Sequence, residues 1–512
     1  MQSLIQPAAS VSRADITSLP RDIFLIILRS LHFEDVVYCR RVSRSWNTTF
    51  SNPSNLYPLL MSTFPLAREM RQHHQDQLAS NERGILPHDD HWRRVFNKIS
   101  ARYYHLSRGK AQSIERHKIW PSYNEDTQLS CRLYPVQPWE THCSHAHMKP
   151  DHVFGEAFWT YDDGLVVFVS VAENCIVLRD LETNQLLPVP FDMKQKVIRR
   201  IRLQCRLLVI EWAESDAFHW LNDVDSVHRH FASSFDINAS PSGGWGIAFR
   251  NEWKIMFLGH PLSDRDRFYS THNRKHYVVY NWQPNRSLYT SDEDAPIESM
   301  FVWDISASSS YRPSMDPSGL DKPAQGPFVV AKFGFRDLDF HGVRQRGQPN
   351  LARLDINSET GVLDITGNSY SYDPEEDIYT FWTAKVTSIP FISHGPSWQR
   401  KVDMLFPPYR GNSSMYNSPV REFPGFPGWF LCISQAIDEE AKVTFSLGFA
   451  KAVNKFQQFT PTKITIRGPN ITSELDQSLS SELEWKGKIC GDERFVMGES
   501  DDQELVILRF DR

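Results

Sequence analysis

The residues best suited to chemistry fall in two clusters. His142-Cys143-Ser144-His145-Ala146-His147 runs on to Asp151-His152. Imidazole and thiolate are good zinc ligands, and alternate residues of a strand share a face. The cluster matches no established zinc spacing, so it is read as surface or packed histidines and no metal is assigned. The second cluster is basic: Lys194, Lys196, Arg199, Arg200, Arg202 and Arg206. A strand over 200–209 would turn Ile201, Leu203, Cys205 and Leu207 to one side and Arg202, Gln204 and Arg206 to the other. Guanidinium forks bind phosphate, so Arg200, Arg202 and Arg206 are the candidate substrate-binding residues, suited to a phosphorylated peptide. The competing reading is a solvated strand face. No GxSxG, P-loop, GxGxxG or HExxH motif occurs. No catalytic residue and no cofactor is assigned, and the chain is expected not to be an enzyme.

Composition limits what could position these residues. The chain has 512 residues, enough for two or more domains, or one small module and one large one. Hydrophobic residues make up 40% and charged residues 23%, the range of a globular protein. A net charge of −6 favours neither nucleic acid nor an anionic membrane as partner. The start, MQSLIQPAASVSRADITSLP, lacks the charged opening and long apolar core of a signal peptide. Apolar runs such as Leu165 to Val169 are far short of a membrane span. Seven dispersed cysteines without a CxxC pair fit free thiols in a reducing compartment. The cytoplasm or nucleus is therefore the expected address.

The stretch Ile16 to Phe50 carries the strongest signal. Pro20 suits the first position of a helix that ends near Leu31-His32, and Asp22 places negative charge in its first turn. Ile23, Phe24, Leu25, Ile26, Ile27 and Leu28 are apolar without a break. At about 100° per residue such a run covers every face of the helix. About 40 residues cannot enclose it, so one face needs a partner. A second short helix begins at Glu34-Asp35. A third carries Val42, Trp46 and Phe50 on one face.

This stretch resembles the F-box domain. The pattern is carried by Leu19-Pro20, the apolar helix from Ile23 to Leu31, Asp35-Val36-Val37, and Arg41-Val42-Ser43-Arg44-Ser45-Trp46, in order and at family spacing. The resemblance implies docking onto the Skp adaptor and, through it, a cullin–RING complex. Carried over, the adaptor-binding residues are Leu19, Pro20, Ile23, Ile27, Leu28 and Leu31, with Val42 and Trp46 partly core and partly interface. It further implies a helical linker and then a large substrate-binding domain.

Beyond the stretch, His91 to Lys110 places Trp92, Val95, Phe96, Ile99, Tyr103 and Leu106 at i, i+3, i+4, i+7 spacing. Arg93, Arg94, Lys98 and Arg102 fall mostly off that stripe and read as a solvated face. From about Val153 short β-rich runs separated by Gly, Asp, Asn and Pro take over. Several aliphatic strands end near an Asp, and Trp303-Asp304 is the pair found in WD repeats, so this region loosely resembles a WD-type propeller. The expected organisation is multidomain. It comprises a disordered 1–14, an all-α F-box at 15–62, a helical linker at 63–118, and a large all-β domain at 119–512. The β domain is expected to be a β-propeller of six to eight blades, with seven the first choice. The expected role is the substrate-recognition subunit of an SCF-type cullin–RING E3 ubiquitin ligase, presenting an unknown protein substrate. The alternatives are a non-degradative F-box scaffold and a β-propeller enzyme with an incidental F-box-like start.

Overall fold

The computed structural model describes residues 16–80, 89–120, 131–136, 157–220, 223, 226–240, 243–256, 259–262, 266–284, 295–346, 351–357, 359–373, 378–392, 398–404, 428–452, 462–485 and 487–511. The segment 1–14 and the histidine cluster at 142–152 lie outside these residues.

A 3-10 turn at Ile16–Ser18 leads into six helices: α1 (Arg21–Ser30), α2 (Phe33–Cys39), α3 (Arg44–Phe50), α4 (Pro53–Thr63), α5 (Arg68–Ser80) and α6 (Asp89–Arg108). Pro20 sits one position earlier than expected. It is the N-cap of α1, with φ −53° and ψ 141°, and its carbonyl accepts from Phe24 N–H at 3.0 Å. Ser43 caps α3 by accepting from Trp46 N–H, and Asn52 caps α4. Phe24 meets Phe50 edge-on at 5.0 Å, and Trp46 stacks on Phe50 at 5.4 Å.

The rest of the chain is mainly β. β1 (Ser113–Lys118) and β2 (Arg132–Leu133) precede a first sheet of β3 (Trp159–Asp162), β4 (Leu165–Ser170), β5 (Cys175–Asp180) and β6 (Leu186–Pro188). The second sheet holds β7 (Lys196–Gln204) and β8 (Leu207–Glu214). Between β8 and the next member lie the short strands β9 (His219–Trp220) and β10 (Ser226–His228). The second sheet continues with β11 (His230–Ala239) and β12 (Trp245–Lys254), and β2 joins β7 in parallel. β13 (His260–Pro261) completes a small three-stranded sheet with β10 and β9. The third sheet is β14 (Arg267–His272), β15 (His276–Gln283), β16 (Ile297–Asp304) and β17 (Phe328–Phe333), followed by α7 (Phe335–Phe340). The fourth is β18 (Leu351–Asn357), β19 (Val362–Asp373), β20 (Ile378–Pro390) and β21 (Gln399–Met404). The fifth is β22 (Gly428–Asp438), β23 (Val443–Ala452), β24 (Thr462–Gly468) and β25 (Ile471–Glu474), followed by α8 (Gln477–Ser481). β26 (Cys490–Asp492), β27 (Phe495–Glu499) and β28 (Glu504–Arg509) form the sixth sheet with β1, which pairs antiparallel along β28 from Ser113↔Arg509 to Lys118↔Glu504.

One boundary differs from the sequence reading. The helical linker stops at Gly109, whose φ of +60° suits glycine and where a Cβ would lie 1.7 Å from the Glu474 carbonyl oxygen. Residues 113–118 are therefore a strand of the β region and not linker.

The middle strands explain their own composition. β4 is buried along its whole length. Leu165, Val167 and Val169 enter one core with Ile210 and Trp212, while Val166 and Phe168 enter another with Leu505 and Ile507. The first sheet thus lies between the second and the sixth, and a continuous apolar run is what a strand covered on both faces requires. β8 and β15 likewise divide alternate residues between two cores. A further core is shared by the helices and the fifth and sixth sheets. It contains Phe24, Leu28, Phe50, Trp92, Phe96, Phe445, Ile464 and Leu508.

Candidate functional site

The apolar run of α1 splits by face. Phe24 and Leu28 point into the shared core, and Leu25 and Ile27 are half-buried. Ile23 keeps 47% of its surface and Ile26 61%. Pro20 is exposed, and Leu19, Leu31 and Trp46 are half-buried. Tyr38 at the end of α2 is 58% exposed and Val42, in the following turn, 62%. The uncovered apolar side chains expected from the unbroken run are therefore present on this small helical module. Leu28 is a correction: its side chain is fully buried, so it supports the surface from behind. Ile26 and Tyr38 join this exposed surface although the sequence pattern does not single them out. A run that covers every face of a helix does not reveal which face the neighbouring helices take.

Polar ties hold the module against α6. Arg108 donates to both Glu34 carboxylate oxygens, at 2.8 and 3.1 Å, and holds that carboxyl below its ordinary pKa. Arg40 donates to Asn97 Oδ1 at 2.7 Å and to Ser51 Oγ at 2.8 Å.

Behind the module lies a buried ion junction. Arg102, expected on a solvated face, has no exposed surface. Its guanidinium bonds Glu69 at 2.6 Å and Glu493 at 2.9 Å. Glu493 also accepts from Tyr103 Oη at 3.0 Å and from the Arg68 backbone N–H at 2.7 Å. Arg68 pairs with Asp163, and Arg494 with Asp492 and Glu182. The acids sharing Arg102 shift in opposite directions. Burial pushes Glu69 up, but Arg102 and Lys98 override it and hold it at about 2. Burial dominates at Glu493, which is raised despite Arg102. α5 and α6 are thus fixed to the β26–β27 turn and to the β3–β4 turn. Asp476 N–H donates to Gly109 O at 2.8 Å, and Ser473 Oγ to Leu106 O at 2.6 Å, adding ties to the fifth sheet.

The three arginines assigned to a substrate do not form one open row. β7 ends at Gln204, and Cys205 and Arg206 make a two-residue hairpin turn with φ of 54° and 59°. A bulge between Ile198 and Arg200 also shifts the alternation. Arg200 is 2% exposed and donates to Ser270 Oγ at 3.0 Å. Ser270 in turn donates to Glu211. Half-buried Arg202 donates to the Ser270 carbonyl at 2.7 Å. Arg206 pairs with Asp163 at 2.8 Å, and its guanidinium lies 4.5 Å from the Trp245 ring centroid. These contacts tie neighbouring sheets together. Among the described residues no group of three or more His, Cys, Asp or Glu side chains could hold a metal ion.

A family model for the F-box domain matches residues 16–57. These residues are an F-box domain. The match covers the 3-10 turn, α1 to α3 and the start of α4, including both exposed isoleucines, Tyr38 and Val42. F-box domains typically bind the Skp adaptor of cullin–RING complexes, which makes the uncovered face an adaptor-docking candidate. No curated protein matches the chain significantly. Among solved structures, the chain is similar to an alpha-L-arabinofuranosidase from Lactobacillus brevis. The identity is 12% over 62% of this chain and 93% of that one, with a TM-score of 0.26. So low a score transfers neither fold nor reaction. No described helix is long and apolar enough to cross a membrane.

Proposed function

We propose that this F-box protein is the substrate-recognition subunit of an SCF-type cullin–RING ubiquitin ligase. The observation that carries the reading is an F-box with an uncovered apolar side whose buried side shares one core with α6 and a large β region. The F-box would seat on the Skp adaptor through Leu19, Pro20, Ile23, Ile26 and Val42. The β region would hold a protein substrate. The chain's contribution would be proximity, with the ubiquitin-charged enzyme supplied by other subunits. A shared core and buried salt bridges between the two parts favour a fixed distance between adaptor and substrate. The reading assigns no catalytic role, cofactor or metal to this chain, and it places the protein in the cytoplasm or nucleus.

The β region is read as a β-propeller. Its support is the repeated meander of four antiparallel strands, the stacking of the fifth, sixth, first, second, third and fourth sheets in that succession, and the pairing of β1 with β28. The three-stranded sheet sits in connections of the second, so six blades fit better than the seven that length favoured. The helices pack at one end of the sheets, near the β3–β4, β22–β23 and β26–β27 turns. The opposite end, which carries the three-stranded sheet and α7, is the candidate substrate face.

The test is affinity capture of the full chain with the proteasome inhibited, comparing wild type with a Leu19→Ala/Pro20→Ala double variant. Adaptor and cullin lost from the variant, with other partners retained, is the expected result. Capture without adaptor or cullin in either case would remove the receptor reading.

A further inference from the structure

The turn between α2 and α3 carries a feature that docking alone does not use. Arg40-Arg41-Val42-Ser43-Arg44 places two guanidinium groups two and three residues before a serine. Ser43 is exposed, with extended backbone at φ −158° and ψ 171°, and its Oγ accepts from Trp46 N–H at 3.1 Å. Arg41 and Arg44 are exposed. On one side of Ser43 stands Val42, and on the other half-buried Trp46, both members of the apolar docking candidate. A strongly basic turn is thus set into an apolar surface, with a hydroxyl at its centre.

We propose that Ser43 is a phosphoacceptor for an arginine-directed protein kinase, and that its phosphate prevents the adaptor from seating. The proposal rests on the F-box reading for its consequence but not for the modification itself. An acidic kinase groove complements the paired guanidinium groups. Ser43 Oγ attacks the γ-phosphorus of a magnesium-bound nucleoside triphosphate. The Oγ–P bond forms, the bond from that phosphorus to the β,γ-bridging oxygen breaks, and the nucleoside diphosphate leaves. The hydroxyl proton passes to the kinase's catalytic carboxylate and then to solvent.

Reading Arg40 requires it to release Asn97 and Ser51. The turn itself is held by Arg41 N–H to Tyr38 O at 2.9 Å, Val42 N–H to Cys39 O at 3.2 Å and the Asn47 side-chain amide to Arg40 O at 2.9 Å. A short solvent-exposed turn of this kind opens at low cost, so the free protein is the substrate. Once attached, the phosphate carries a charge of about −1.5 to −2 between the exposed Arg41 and Arg44 and beside the apolar Val42 and Trp46 of the docking face. Seating the adaptor would desolvate it, an unfavourable transfer unless the partner offers its own cations. Ser45 lacks the paired arginines at the same spacing, and its Oγ lies 2.9 Å from Thr17 Oγ. It serves as the internal control.

The test treats the purified full chain with the catalytic subunit of a cyclic-AMP-dependent protein kinase and Mg·ATP. Phosphosites are mapped by mass spectrometry, and affinity for purified Skp adaptor is measured before and after. The expected result is phosphate on Ser43, lost in Ser43→Ala and Arg41→Ala but kept in Ser45→Ala. Adaptor affinity should fall about tenfold or more on modification, and prebound adaptor should protect Ser43 from the kinase, as reciprocal coupling requires. Ser43→Ala should still bind adaptor and resist the kinase's effect. Phosphate absent from Ser43, or unchanged affinity after stoichiometric modification, would overturn the proposal. Modification of Ser43 in a chain whose unmodified form binds no adaptor would instead show that the F-box reading had failed, and the gating role with it.

Discussion

Ile26 and Leu28 stand two residues apart in one apolar run, yet one is 61% exposed and the other fully buried. Their substitutions should therefore separate docking from folding. Ile26→Glu adds charge to an exposed position and should leave thermal stability within about 0.5 kcal/mol of wild type. It should nevertheless weaken adaptor binding at least about tenfold. Leu28→Ala opens a cavity beneath the surface and should cost about 2–5 kcal/mol. Melting curves and adaptor titrations on both variants check this; a stability loss in Ile26→Glu equal to that of Leu28→Ala would contradict the facing. Residue types were legible in the sequence here, and facing was not. The same gap affected the arginines. Cys205-Arg206 is not one of the dipeptides that usually signal a hairpin with φ above zero, so nothing local marks the turn and the pattern over 200–209 reads as one strand.

At the scale of elements, α6 was the most legible helix of the linker. Trp92, Val95, Phe96, Ile99, Tyr103 and Leu106 are all buried, as the spacing required, and the helix ends at Arg108, just before Gly109. Arg102 shows the limit of that reading, since its acidic partners lie 33 residues before it and 391 residues after it. Glu69 gives the junction a pH signature. Its folded pKa of about 2 lies below the unfolded value of about 4.3. Its contribution to stability is therefore in place above about pH 4.3 and is lost as pH falls toward 2. Glu493, raised by burial, acts in the opposite sense. Comparison with Glu69→Gln isolates the first effect. The melting temperature of wild type should exceed that of the variant near neutral pH, and the gap should shrink below about pH 4.3. A gap independent of pH would mean that the Glu69 carboxylate does not stabilise the junction through its charge.

Across the whole molecule, the helical start followed by β structure was readable from the change of period near Val153. The assembly of the sheets was not. Which core each side of a strand enters depends on neighbours such as Val166 with Leu505 and Ile507, more than 300 residues away. The return of β1 to β28 also has no local signature, because pairing across most of the chain leaves no turn residues to mark it. The result is one continuous body in which the F-box shares its core with the fifth and sixth sheets. In the proposed function, this body docks an adaptor through its exposed helical face. Calorimetric titration of the full chain with purified Skp adaptor tests it directly. One adaptor should bind per chain, with affinity reduced about a hundredfold or more by Leu19→Ala/Pro20→Ala and an unchanged melting profile. Absence of binding, or equal affinity in the double variant, would contradict it.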